Sequence, residues 1–221
     1  MLWALGQPVA ALGLIAAFVL GATLRALVHR RVAHRYGGNA DVAAGSAVGA
    51  LGAITLVFTG TGWWRPTGAR RALAVAAGPV AVLAAGEACL AGFALAFPAQ
   101  RASLRLNYPS DVLRGVVGVP PAAQVMLSLA VGLLCFGVLA LLPVPPLDGF
   151  RLGSAALLQP APAPAGGPPL AASPVLGLVG EWPAVLGALG LLLAAVVPLG
   201  DRTPLLAALD LLAAPLVRVW A

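Results

Sequence analysis

Lysine is absent from this chain, and charge of either sign is scarce: 13 basic residues, every one an arginine, and 7 acidic ones make up 9% of 221 residues. A soluble domain carries ~25% charged residues, so a water-solvated globule is excluded. The 61% hydrophobic content likewise excludes a disordered chain. Cysteine is nearly missing too. Cys89 and Cys135 both lie inside apolar runs, where they act as small hydrophobes and carry no information about redox compartment. The net charge of +6 could suit a nucleic-acid partner, but the arginines cluster between apolar runs instead of striping one face. An electrostatic footprint needs a contiguous basic surface, so nucleic acid is set aside as a partner. With a mean hydropathy of +0.98, the chain is an integral membrane protein, and the bilayer is its first partner.

A spanning helix needs ~20 mostly apolar residues. The first run, Met1 to Leu24, holds no charge and closes on Arg25, His29, Arg30 and Arg31. It lacks the basic start of a cleaved signal and is expected to be retained. The expected helices are Val9–Arg31, Ala72–Phe97, Ala122–Leu142, Pro183–Val197 and Pro204–Val217, the last being short enough to lie at the interface or pack on the bundle. Between the third and fourth, Gln159 to Pro174 reads QPAPAPAGGPPLAASP, the composition of a linker without a core.

Val42 to Thr59 is apolar but rich in Gly, Ala and Ser. Were it to cross, Arg30, Arg31 and Arg35 would be parted by the bilayer from Arg65, Arg70 and Arg71. If it dips in and returns, all six share the cytoplasmic side and the N-terminus lies outside, as the positive-inside rule favours. Ile54 to Thr59 alternates like a strand, which suggests a re-entrant hairpin.

The most informative string is Leu141-Leu142-Pro143-Val144-Pro145-Pro146-Leu147-Asp148-Gly149. Pro143, Pro145 and Pro146 remove backbone donors and stop the preceding helix, which presents Asp148 at the membrane edge. This string resembles the signature of the site-2 proteases, intramembrane zinc metalloproteases with H-E-x-x-H in an early helix and L-D-G after a later one. Ala77-Gly78-Pro79-Val80-Ala81-Val82 is similar to that family's A-G-P-x-x-N, and Ala33-His34-Arg35-Tyr36-Gly37 to its A-x-x-x-G. The resemblance covers roughly Leu12 to Leu158, and the landmarks occur in the family's order.

It implies a mainly α, polytopic membrane protein with four to five membrane helices plus a re-entrant segment around a site-2-protease-like core. The core would be 1–158, the linker 159–174, and a C-terminal membrane helix with an interfacial helix 175–221. It also implies that His29 and Asp148 stand at metal-ligand positions. The rest of the site is altered. Arg25-Ala26-Leu27-Val28-His29 occupies the H-E-x-x-H positions, so Arg25 replaces the first histidine and Ala26 the general base. Val82 and Ala140 stand where the family has asparagines. Catalytic zinc wants three protein ligands plus water, and a carboxylate must take the water's proton. Ala26 cannot. No cofactor is therefore expected, with zinc only if the family site still works.

Two further polar residues bear on that role. His34 is five positions past His29, about 140° round the helix, and is expected to be hydrated at the helix end. Glu87, the carboxylate within a span, lies about 22 Å beyond Ala72 along its helix. It is a functional candidate by default or a locally bonded structural acid, but it is too far from His29 to serve as its base. Asp41 and Glu181 are expected in loops.

Three functions follow. One is a protease-like protein that has lost catalysis and binds a membrane partner or substrate. Another is an active intramembrane protease with a non-standard site. The third is a transporter or scaffold in which the proline string is coincidence. Arg25 and His29 share a helix face. Arg25 is expected either to pair with Asp148 where a metal would sit, or to snorkel to water or lipid phosphate. Gly78-Pro79 is expected to pack against the first or third helix near the site, or to form a kink facing lipid. The arginine-only, Ala/Gly/Pro-rich composition suggests a GC-rich bacterial genome and hence a bacterial cytoplasmic membrane.

Overall fold

In a computed structural model the described residues are 7–35, 47–59, 61, 72–115, 118–145, 147–157 and 174–221. They form α1 (Pro8–Arg35), α2 (Ala47–Thr59), α3 (Ala72–Ala96), α4 (Ala102–Leu106), α5 (Pro109–Arg114), α6 (Pro121–Leu141), α7 (Asp148–Leu157), α8 (Pro174–Val196) and α9 (Pro204–Arg218). Among the described residues there is no strand, only an isolated bridge between Leu199 and Arg202.

Among the described residues three helices are long and apolar enough to cross a membrane: Pro8–Val32 within α1, Val75–Ala96 within α3, and α6. At 1.5 Å per residue each exceeds the ~30 Å hydrocarbon thickness. α6 lies at the centre, with 78% of an apolar 18-residue stretch buried, while the corresponding stretches of α1 and α3 are 33% buried and these helices turn Leu12, Ile15, Val19, Leu73 and Val80 outward. Lipid tails are as apolar as leucine, so helix association here depends on close packing at small residues. Those contacts also fix the directions. A Cβ added at Gly13 would lie 2.8 Å from Ser128 Cβ, and one at Gly21 would lie 3.3 Å from Phe136. α1 and α6 therefore run parallel. A Cβ at Gly86 would lie 2.8 Å from Leu134, and one at Gly92 would lie 2.8 Å from Met126, so α3 runs antiparallel to α6. The ends of α1 and α6 and the start of α3 consequently meet at one end of the bundle.

The helix boundaries match the sequence expectation closely for α3, α6 and α9. α1 continues through Arg35, because exposed arginines solvate a helix end without breaking it. α8 begins at Pro174 instead of Pro183, so Pro183 sits inside the helix and Glu181, expected in a loop, is helical. The apolar stretch Pro183–Val196 is shorter than the three candidate spans.

The strand-like alternation at Ile54–Thr59 is overturned: α2 is helical over 13 residues, about 20 Å long, and short of the hydrocarbon thickness. It packs against α8, and Thr59 bonds back to the Thr55 carbonyl as helical hydroxyls do. α9 packs on α5, α6 and α8, burying Leu205, Leu206, Leu209 and Ala213. Val42 to Ser46, Asp41, Arg65, Arg70, Arg71, and the linker apart from Pro174 lie outside the described residues.

Candidate functional site

The bundle end where α1, α3 and α6 meet holds a polar contact between residues far apart in the chain. Leu142 leaves α6 in an extended conformation, and the chain turns through Pro143 and Pro145, held by hydrogen bonds from Val144 N to Leu142 O and from Leu147 N to Val144 O, each 2.8 Å. Pro146 lies outside the described residues. α7 starts at Asp148, and a carboxylate in a first helical turn is favoured by the helix dipole. Gly149 follows because nothing larger fits: a Cβ there would overlap the Leu141 carbonyl at the end of α6. Gly187 of α8 in the same way seats on the Pro145 carbonyl.

This turn delivers Asp148 to α1. Arg25 Nε donates to Asp148 Oδ2 at 2.8 Å, and Arg25 Nη2 to Oδ1 at 2.7 Å. The fork is bidentate and nearly sealed, with Arg25 4% and Asp148 1% exposed. One turn on, His29 is buried, and its Nε2 lies 3.9 Å from Asp148 Oδ2. Gly78 closes the third side. A Cβ there would overlap the His29 ring and lie 2.8 Å from Arg25 Cγ, so the Gly78-Pro79 turn packs onto α1 at the site and does not face lipid. Of the alternatives for Arg25, pairing is what the structure contains.

Ala26 lies beside Arg25 but round the helix from the pair, half-buried on an outward groove. Glu87 belongs elsewhere. It stands nine residues past Gly78, about 14 Å along α3, and its Oε2 accepts from Trp220 Nε1 at 2.6 Å, while Oε1 is buried without a hydrogen bond. His34 is exposed near the end of α1.

As placed, the donors do not make a zinc site. Two candidate ligands converge where three are wanted, and both Asp148 oxygens are taken by a guanidinium. Among the described residues no three His, Cys, Asp or Glu side chains come together. The arrangement ties the last turns of α1 to the start of α7.

A second polar cluster, unforeseen from sequence, clamps α5 to α9. Asp210 accepts from Ser110 N at 2.8 Å and Ser110 Oγ at 2.7 Å, and it pairs with Arg202 Nη1. The Arg202 guanidinium sits 4.6 Å from the Tyr108 ring centroid. The available signal was an aspartate inside the apolar run of α9, which a buried helix tolerates only with partners. No family model, characterised protein or solved structure matches the chain.

Proposed function

We propose that this chain is a site-2-protease-like protein of a bacterial cytoplasmic membrane that no longer cuts and instead binds a membrane partner. The single observation that carries this reading is the Arg25–Asp148 fork. A guanidinium takes both oxygens at the position where the family's L-D-G aspartate would hold metal, with His29 beside it. The positive charge of the missing ion is replaced by a guanidinium whose Nε and Nη2 are taken up by the carboxylate and which has no coordination position in which to bind and ionise a water. Ala26 supplies no base. In this reading four to five helices enter the membrane, the N-terminus is outside, and His29 and Asp148 face the cytoplasm. The joint position of α1's and α6's last turns supports a common side for the two.

Metal analysis of the detergent-purified protein is the test. Wild type and His29→Ala should both carry no zinc above background. The double variant Arg25→His/Ala26→Glu rebuilds H-E-x-x-H over 25–29, frees Asp148, and should acquire about one zinc per chain. Stoichiometric zinc in wild type that is lost in His29→Ala would overturn the inactive reading in favour of an active protease. A rebuilt variant that folds but takes no zinc would count against the family relationship.

A further inference from the structure

Two buried carboxylates of this chain are paired with arginine, Asp148 with Arg25 and Asp210 with Arg202. Glu87 is not. Its Oε2 accepts from the neutral indole of Trp220 at 2.6 Å, and its Oε1 is buried without a hydrogen bond. Among the described residues no cation pairs with it. It lies about 14 Å along the helix from Ala96 and about 18 Å from Val75, near mid-span. A glutamate side chain is too short to reach headgroups ~15 Å away. Neither protonation state completes the site. Ionised, the carboxylate is an uncompensated charge at mid-span; neutral, its Oε1 is still an orphaned donor or acceptor.

Leu73, Val80 and Glu87 are seven apart and so lie on one line of α3, with ~20° of drift at each step. Leu73 and Val80 are exposed, and so are Ala84 and Ala88 beside the glutamate. One step further along the line Ala94 is buried, and its carbonyl accepts from Arg101 Nε at 2.9 Å. Glu87 therefore sits where the outward face of α3 passes under the end of α9. Trp220 reaches it there, and the carbonyl of the next residue, Ala221, accepts from Arg105 Nη2 at 2.8 Å.

A donor that comes to this depth from the lipid side has to be carried by another membrane helix, because headgroups end ~15 Å away. Exposed alanines let such a helix approach closely. A guanidinium supplies what the indole does not: a donor for each oxygen and a counter-charge. We propose that Glu87 is the docking point for a partner's membrane helix bearing one arginine near its middle, with Trp220 holding the carboxyl until that arginine displaces it. The inference rests on the membrane partner of the proposed function and not on the lost metal.

The test uses the full chain in phosphatidylcholine nanodiscs, with energy transfer to labelled Leu/Ala helices of about 23 residues. These peptides carry a central arginine, a central leucine, or an arginine one turn from the end. The central-arginine peptide should bind about ten-fold tighter than the leucine peptide, the strength of one polar contact between membrane helices. The end-arginine peptide should bind like the leucine one, since its charge snorkels away from Glu87. Glu87→Gln, checked for folding by its melting transition, should cut the preference to about two-fold, because the amide keeps an acceptor but no charge. Trp220→Phe removes the competing donor and should tighten the central-arginine peptide about five-fold, the net worth of one hydrogen bond. A purely structural Glu87–Trp220 bond predicts no such gain. Equal binding of the two central peptides, a preference that survives Glu87→Gln intact, equal binding of the end-arginine peptide, or no gain from Trp220→Phe would each overturn the proposal. Metal content is read elsewhere in the bundle. Zinc in wild type would overturn the inactive reading and leave this result standing, whereas equal peptide binding would overturn this inference alone.

Discussion

Breaking the Arg25–Asp148 fork from one side should be far more damaging than removing it whole. Asp148→Asn leaves a guanidinium that is 4% exposed with no counter-charge, and Arg25→Leu leaves a carboxylate that is 1% exposed with no cation. Removing one partner of a buried pair costs about 3–5 kcal/mol, because the survivor is an uncompensated charge in low dielectric. Replacing both by neutral groups removes attraction and desolvation together, so the double variant Arg25→Leu/Asp148→Asn should lose only ~1 kcal/mol. The implied coupling is therefore several kcal/mol, well outside the ~0.3–0.5 kcal/mol within which independent sites add. Thermal unfolding in detergent should show each single variant melting roughly 6–20 °C below wild type, with the double variant close to it. A reversible dodecyl sulfate titration supplies the free energies. Arg25→Lys keeps the charge but not the fork, and should fall between the double and single variants, at ~2 kcal/mol. Single losses that simply add in the double variant would refute the coupling and leave the pair as a bystander.

Gly78→Leu should destabilise by about 1–3 kcal/mol, since its side chain would be driven into His29 and Arg25; an unchanged melting temperature would place this turn away from the site. Gly190→Ala in α8 meets nothing within 4 Å and should raise stability by about 0.5–1 kcal/mol through helix propensity alone. Trp220→Phe removes the donor to Glu87 and should cost ~1 kcal/mol, while Glu87→Gln keeps an acceptor for Trp220 and should cost less, both read by the same unfolding assay. Deleting about half of 159–174 should leave membrane expression intact, because that composition supports no packing; loss of expression in a membrane-fraction blot would refute it.

The spans were legible because a charge-free run of twenty residues has few alternatives in a chain this apolar. Arg25 and Asp148 could be brought together on paper because helix direction and the four-residue spacing to His29 leave little freedom. The misjudged elements share a different cause. Six alternating residues at Ile54–Thr59 are too few to decide a period, and the run from Ala47 onward outweighs them as a helix. Pro183 looked like a start because proline suits a first turn, yet membrane helices tolerate it inside where neighbouring groups re-satisfy the backbone. α7 was hidden behind the prolines that end α6. The Asp210 clamp depends on Ser110, a hundred positions away, and no local pattern announces such a contact.

Arg25 and Asp148 are 123 positions apart in the chain, and that interval is also a waiting time. At ~5–20 residues per second, synthesis leaves the arginine in the membrane about 6–25 s before its partner exists. An unpaired guanidinium at mid-bilayer could not be held there cheaply. At ~6 Å from His29 along the helix it can stretch back to the headgroups while it waits. The same exchange, lipid phosphate for carboxylate, would mark the moment at which α6 settles between α1 and α3 and the nascent chain becomes committed to its final form.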